Sequence, residues 1–176
     1  MPTLHLIEGP VGSGKSTYAA TLAREHSAPR LILDDWMATL FRPDRPETDV
    51  IPWYLERKKR CLAQIWNVAR DLIDAGSDVV LELGLIERRD REDFYRLVDD
   101  ADVALRVVVL DAELDVRRQR VRARNVERGA TFAMVVPDDV FDMASRLWEP
   151  PDEGEVDRRG LELIDTTHLA RPRHSR

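Results

Sequence analysis

The stretch Gly9-Pro10-Val11-Gly12-Ser13-Gly14-Lys15-Ser16-Thr17 holds the plainest chemistry in the chain. Its spacing, G-x-x-x-x-G-K-[ST], lets successive backbone N–H groups turn inward around phosphate oxygens, and a following helix N-terminus adds a favourable dipole. Lys15 is expected to meet the β- and γ-phosphates and the Ser16 hydroxyl to ligate Mg²⁺. Gly9, Gly12, Ser13, Gly14, Lys15, Ser16 and Thr17 are therefore the expected nucleotide-binding residues, with ATP and Mg²⁺ as the cofactors.

A second stretch, Leu31-Ile-Leu-Asp34-Asp35-Trp36-Met37-Ala-Thr-Leu-Phe41, sets two carboxylates just past an apolar run. Adjacent buried charges are costly unless water, a cation or a reacting group meets them. Read as the end of a second strand, Asp34 opens on the same sheet edge as the phosphate loop, where ligands of open parallel sheets sit. A carboxylate there can take the proton of a hydroxyl attacking the γ-phosphate. Asp35 reads as a helix N-cap. Glu82 ends a third apolar run, Val79-Val80-Leu81. It points at the same cleft, to serve a Mg²⁺-bound water or a substrate hydroxyl, or else pairs with a neighbouring arginine. Asp111, after a fourth run, reads as an N-cap.

These groups need a scaffold that brings them to one edge, and the alternation of apolar runs with helical periodicity supplies it. Strands are expected near 4–7, 29–34, 78–84, 103–111 and 161–167, separated by helices, the longest over 53–76. Strand–helix alternation means crossover units on a mostly parallel sheet. The fold class is α/β: a three-layer P-loop NTPase fold with a five-stranded sheet and a small arginine-bearing lid. Residues 1–176 read as one domain, the lid at about 125–137. "EPPDEGEVDRRG" and the basic tail at about 168–176 read as loose.

Composition narrows the class. Apolar residues make up 43% of the 176 and charged residues 34%, ordinary for a globular chain. The net charge of −6 weighs against a broad grip on nucleic acid. Cys61 is the single cysteine, so no internal disulfide can form. With no apolar run of membrane-spanning length and no leader pattern, the expected location is cytoplasmic, with no membrane contact. Trp66 and Trp148 read as core. Trp36 and Trp53 bracket the expected substrate loop, and His5 reads as structural.

"GPVGSGKST", "LILDDW" and "RVRARNVERG" together resemble the small AAA-type ATP-binding P-loop kinases that include phage-type polynucleotide kinase, zeta toxins and chloramphenicol phosphotransferase. The resemblance implies that Asp34 is the general base and that Glu82 matches the acidic strand end of zeta toxins. "RVRARNVERG" is similar to the lid entrance of adenylate-kinase-like enzymes. That likeness implies Arg120 near the nucleotide base, Arg124 and Arg128 on phosphates, "GATFAMVV" as the lid and Gly129 as its hinge. Arg118 and Arg122 read as a solvated face. Polynucleotide kinases carry an arginine three residues after the base, holding the substrate's 3′-phosphate. Met37 stands there here, with Arg42 the nearest substitute.

The expected activity is an ATP- and Mg²⁺-dependent kinase phosphorylating a hydroxyl of a small sugar-, nucleoside- or antibiotic-like molecule. Asp34, Lys15, Arg124 and Arg128 are its catalytic groups and Asp34, Trp36, Arg42 and Glu82 its substrate contacts. The acidic charge and Met37 rank a polynucleotide 5′-hydroxyl acceptor second. A regulatory NTPase switch acting through a protein partner is the reading from another class.

Overall fold

The strand β1 (Thr3–Glu8) runs through the middle of the sheet because Leu4, Leu6 and Ile7 let it be covered on both faces. In this computed structural model, which describes residues 1–128, 132 and 134–169, four further strands flank it. They are β2 (Arg30–Ile32), β3 (Val79–Glu82), β4 (Ala104–Asp111) and β5 (Glu162–Asp165). The order is β2-β3-β1-β4-β5 and every neighbouring pair is parallel.

Seven α-helices are described: α1 (Lys15–Glu25), α2 (Leu33–Leu40), α3 (Val50–Asp74), α4 (Arg88–Asp100), α5 (Leu114–Glu127), α6 (Asp138–Leu147) and α7 (Glu153–Arg159). One sheet face packs Leu4, Leu6, Leu81, Val107 and Val109 against Cys61, Ile65, Trp66 and Ala69 of α3 and Phe94, Tyr95 and Val98 of α4. The other packs Ile7, Val80, Val108 and Leu110 under Ala19, Leu22 and Ala23 of α1. The chain leaves β1 for β2 on one side and later returns to build β4 on the other. That reversal leaves a crevice at the carboxyl end of β1, where ligands of such sheets bind.

Several local expectations are corrected. β2 stops at Ile32, and α2 begins at once with Leu33, because Leu33 and Met37, four apart, are both needed in the core. Asp34 and Asp35 thus both lie in the first turn of α2. Asp35 is not its N-cap; that place belongs to Ile32, with no side-chain cap. Asp111 is the last residue of β4 rather than a cap, since α5 starts from Glu113. α3 begins at Val50, and Pro52 is tolerated in its first turn, where an amide has no helical partner anyway. A 3-10 turn, Arg42–Asp44, interrupts the loop before it.

The stretch expected to be loose after Trp148 forms α7. Asp152 accepts from Glu155 N–H at 2.7 Å, and Gly160, at φ 60°, ends the helix. Glu155 then reaches Arg91 of α4 in a buried two-pronged pair at 2.7 and 2.8 Å, joined by the Tyr95 hydroxyl. Such a pair is dependable only when both partners are satisfied, and here they are. Gly129, Ala130, Thr131 and Ala133 of the expected lid, and 170–176 of the tail, lie outside the described residues. Among the described residues no helix is long and apolar enough to cross a membrane.

Candidate active site

The phosphate loop joins β1 to α1 and is held from two sides. Gly9 takes φ 138°, and a Cβ there would stand 2.0 Å from the Leu110 carbonyl oxygen on β4. Gly12 takes φ 82°, and a Cβ there would stand 2.6 Å from the Arg117 carbonyl oxygen on α5. Only glycine meets both demands, the left-handed backbone and the close approach. Lys15 starts α1, and its Nζ donates to the Gly9 and Pro10 carbonyls, both at 2.9 Å. The ammonium thus lies across the mouth of its own loop. Ser16 Oγ donates to Glu82 Oε1 at 3.1 Å across the β1–β3 step.

Acidic groups gather at this edge. Glu82 is nearly buried, its Oε2 has no partner among the described residues, and desolvation raises its pKa against the pull of Lys15. Glu8, the last residue of β1, is 1% exposed, and its Oε1 has no hydrogen-bond partner among the described residues. Burial pushes its pKa up to about 8, with Lys15 and Arg91 opposing. A lone hydroxyl contact does not exhaust a buried carboxylate, so Glu82 has spare acceptor capacity beside Ser16. That donor set, hydroxyl plus carboxylate, is the oxygen chemistry Mg²⁺ takes, and the groups fit it.

The pairing of Ile32 with Glu82 in the β2–β3 register brings the start of α2 to the same place. The charges of Asp34 and Asp35 both act on Glu82. Asp34 and Asp35 are exposed. Partial desolvation and then Asp34 raise the Asp35 pKa, and the same two causes push the Tyr54 phenol up to about 12. The charge of Asp34 thus reaches both Tyr54 of α3 and Glu82 of β3. Trp36 is half-buried against the core beside it. Trp53 carries the Arg57 guanidinium 4.6 Å above its ring. Arg42 is exposed on the 3-10 turn. Met37 is 4% exposed in the core, so its position cannot face a phosphate.

The arginines of α5 divide by face. Arg117 is buried, its NH1 donates to the Val11 carbonyl of the loop and to Ser145 Oγ, and its Nε donates to Ala112 O at 3.0 Å. Burial holds its pKa below the usual guanidinium value. Arg120 donates to Thr166 Oγ1 at 3.0 Å and to Thr166 O at 2.6 Å, and Thr166 Oγ1 lies 2.8 Å from Ser13 O. Arg120 also lines a cavity of about 470 Å³ with Val116, Gln119, Ala123, Thr167 and Leu169. Arg124 is half-buried, its Nε without a hydrogen-bond partner among the described residues. Arg128 ends α5 in the left-handed region, its guanidinium 5.6 Å from the Phe132 ring.

Arg118 and Arg122 are not a free solvated face. They pair with Asp142 at 2.6 Å and Asp138 at 2.7 Å and tie α5 to α6. The structure thus gathers Lys15, Ser16, Glu82 and Asp34 at one edge and carries Arg120 and Arg124 on a helix pressed against the loop. Sequence reasoning missed Glu8 and Arg117. Glu8 had a signal, a charge closing an apolar strand, the same pattern that picked out Glu82. Arg117 had only its helical spacing, which sets it on one face with Arg120 and Arg124, and nothing in a run of arginines marks the one that is buried.

The family model described as an AAA domain matches residues 4–151. No curated protein matches the chain. Among solved structures, a candidate kinase from Chloroflexus aurantiacus aligns with TM-score 0.71 at 21% identity, over 95% of this chain and 86% of its own. A gluconokinase from Sinorhizobium meliloti aligns at 0.56 and 21%, over 97% and 85%. The APS kinase of Mycobacterium tuberculosis, solved with AMPPNP and APS, aligns at 0.60 and 19%, over 99% and 90%. Identities this low speak for the fold. The family match is of another kind, since it takes in the phosphate loop, Asp34, Glu82 and all of α5: the chain belongs to the AAA-domain family and is built on its kinase-like P-loop fold.

Proposed function

We propose that the protein is an ATP- and Mg²⁺-dependent kinase that transfers the γ-phosphate to a hydroxyl group of a small sugar-, nucleoside- or antibiotic-like molecule. The observation that supports this reading is the register of Ile32 with Glu82, which sets the first turn of α2, with Asp34, at the sheet edge where Glu82 meets Ser16 of the phosphate site. The names of the structural relatives, a gluconokinase and an APS kinase among them, agree with a small hydroxyl-bearing acceptor.

The loop amides and Lys15 hold the phosphates, Lys15 leaving the Gly9 and Pro10 carbonyls to do so. The adenine ring lies in the cavity beside Arg120, between α5 and the Thr167–Leu169 segment. Ser16 and Glu82 would hold Mg²⁺, which would supply charge neutralisation at the phosphates. Asp34 takes the acceptor's hydroxyl proton as its oxygen bonds to the γ-phosphorus, and the bond from that phosphorus to the β–γ bridging oxygen breaks to leave ADP. Arg124 and Arg128 balance the charge on the moving phosphoryl group. Trp36, half-buried beside Asp34 on α2, would contact the acceptor. Met37 in the core and the net charge of −6 favour the small acceptor over a polynucleotide 5′ end.

A screen of pooled metabolites and oligonucleotides for acceptor-dependent ADP release tests this. Release with a small alcohol supports the reading, and release with oligonucleotides alone replaces its acceptor. Hydrolysis indifferent to every acceptor, together with a stoichiometric protein complex, makes the protein a regulatory switch instead.

A further inference from the structure

At the other end of α1, three side chains from three separate elements converge. His5 comes from the early part of β1, Asp78 from the residue before β3, and His26 from the C-cap of α1. Asp78 Oδ2 lies 3.5 Å from His5 Nε2 and 2.9 Å from His26 Nδ1, and one ligating atom from each residue falls within 4.8 Å of the others. The imidazole rings sit 4.6 Å apart, centre to centre. We propose that His5, His26 and Asp78 form a binding site for a divalent transition metal ion of the zinc class, tying the end of α1 to the lower edge of the sheet.

Two tetrahedral ligands at zinc bond lengths of about 2.0–2.1 Å stand roughly 3.4 Å apart, close to the two separations of Asp78 Oδ2 from the imidazole nitrogens. The donor set, two imidazoles and a carboxylate, suits zinc rather than Mg²⁺. His5 adds an independent argument. Its ring is 2% exposed, its Nδ1 has no partner among the described residues, and its Nε2 has only the long contact to Asp78. A metal on Nε2 replaces that long contact with a short bond, and the buried ring is already aimed at Asp78 to make it. Asp78 is held for the purpose, since its Oδ1 accepts from Thr3 N–H at 2.8 Å. The nearby cation Arg106 is paired with Glu162 at 2.6 Å. His26 and Asp78 are open enough to solvent for an ion to enter.

The eleven residues of α1 put roughly 16 Å of helix between this cluster and Lys15, so the site is separate from the phosphate edge and does not rest on the kinase reading. Zinc chloride is titrated into the whole protein without nucleotide or Mg²⁺, with calorimetry and Tm as readouts, and Co²⁺ absorption reports tetrahedral coordination. The expected result is binding of one ion that raises Tm. His26→Ala, which removes an exposed ligand and little packing, should weaken it by more than the roughly 10–100-fold that loss of a supporting partner costs. Cys61→Ser should leave it intact. Asp78→Asn should weaken it too; where that variant fails to fold, His26→Ala alone decides. Equal affinity in wild type and His26→Ala, or no ion bound, overturns the site.

Discussion

Ser16 Oγ donates to Glu82 Oε1 at 3.1 Å, joining the first turn of α1 to the last residue of β3 across the sheet edge. The contact sets an alcohol and a nearly buried carboxylate side by side, the second carboxylate oxygen having no partner among the described residues. Desolvation raises the Glu82 pKa, and Lys15 is the main group that lowers it. In the proposed reaction this pair would hold Mg²⁺, and the consequences of altering either partner can be measured.

Glu82→Gln keeps the shape and the bond to Ser16 but removes the charge. The Mg²⁺ concentration needed for half-maximal ADP release should rise about 10–100-fold, as when a metal's supporting ligand is lost. Thermal stability of the nucleotide-free protein should hold or rise, because a desolvated carboxylate is replaced by a neutral amide. An unchanged Mg²⁺ requirement places the ion elsewhere.

Asp34→Asn should bind ATP normally while acceptor-dependent transfer falls roughly 10²–10⁴-fold. Asp35→Asn should do far less. Both lie in the first turn of α2, so each loses the same favourable interaction with the helix dipole, and that shared cost cancels in the comparison. Single-turnover rates on the two variants decide it; the reverse order assigns the base to Asp35.

Much of this site was legible because it is local. Glycine spacing fixes the phosphate loop, and apolar runs closed by a charge mark strand ends at the sheet edge. What was not legible depends on partners far along the chain. α7 looked loose because Glu155 finds Arg91, 64 residues away, only in the folded state. α2 looked like a longer strand because Leu33 suits either element, and only Met37 in the core shows which one won. Arg118 and Arg122 looked solvated because Asp142 and Asp138 lie on a helix that packs back from beyond the loop.

Glu8 gives the nucleotide-free protein a pH dependence. Its folded-state pKa, about 8, lies above the ordinary 4.5, so the folded protein holds a proton that the unfolded chain releases. The stabilisation is fully present below about pH 4.5 and is lost as pH rises toward 8, by up to about 1.4 kcal/mol per pH unit. Glu8→Gln should flatten Tm between pH 5 and 8, to about the extent of one titrating group. An unaltered slope in the variant assigns the titration to another residue.

Arg120→Ala should raise the KM for ATP more than it lowers kcat, because Arg120 lines the cavity proposed for the base rather than the path of the phosphoryl group. Its bonds to Thr166, which in turn contacts the Ser13 carbonyl, add a cost in loop order. Thr166→Val breaks that link but leaves the guanidinium, and should give a smaller rise in KM. Equal effects in the two variants mean that Arg120 serves only the loop.

Arg128 carries the sharpest prediction. If its guanidinium meets the phosphoryl group only at the transition state, Arg128→Ala should lower kcat much more than it raises the KM for ATP. A transition-state arginine is worth roughly 10³-fold or more in phosphoryl transfer. Arg128 also sits at φ 45°, where a side chain is strained and glycine is not. Arg128→Gly should therefore be more stable than Arg128→Ala by about 1 kcal/mol while losing the same catalysis, which separates the charge from the backbone. Lysine at this position should rescue only partly, since an ammonium keeps the charge without the planar fork. Arg118 cannot serve as the inert control, because it anchors α6 through Asp142; exposed Arg70 on α3 can. Should Arg128→Ala leave kcat as untouched as Arg70→Ala does, Arg128 is a helix terminus and nothing more, and the charge on the phosphoryl group must be met by Lys15 and Arg124.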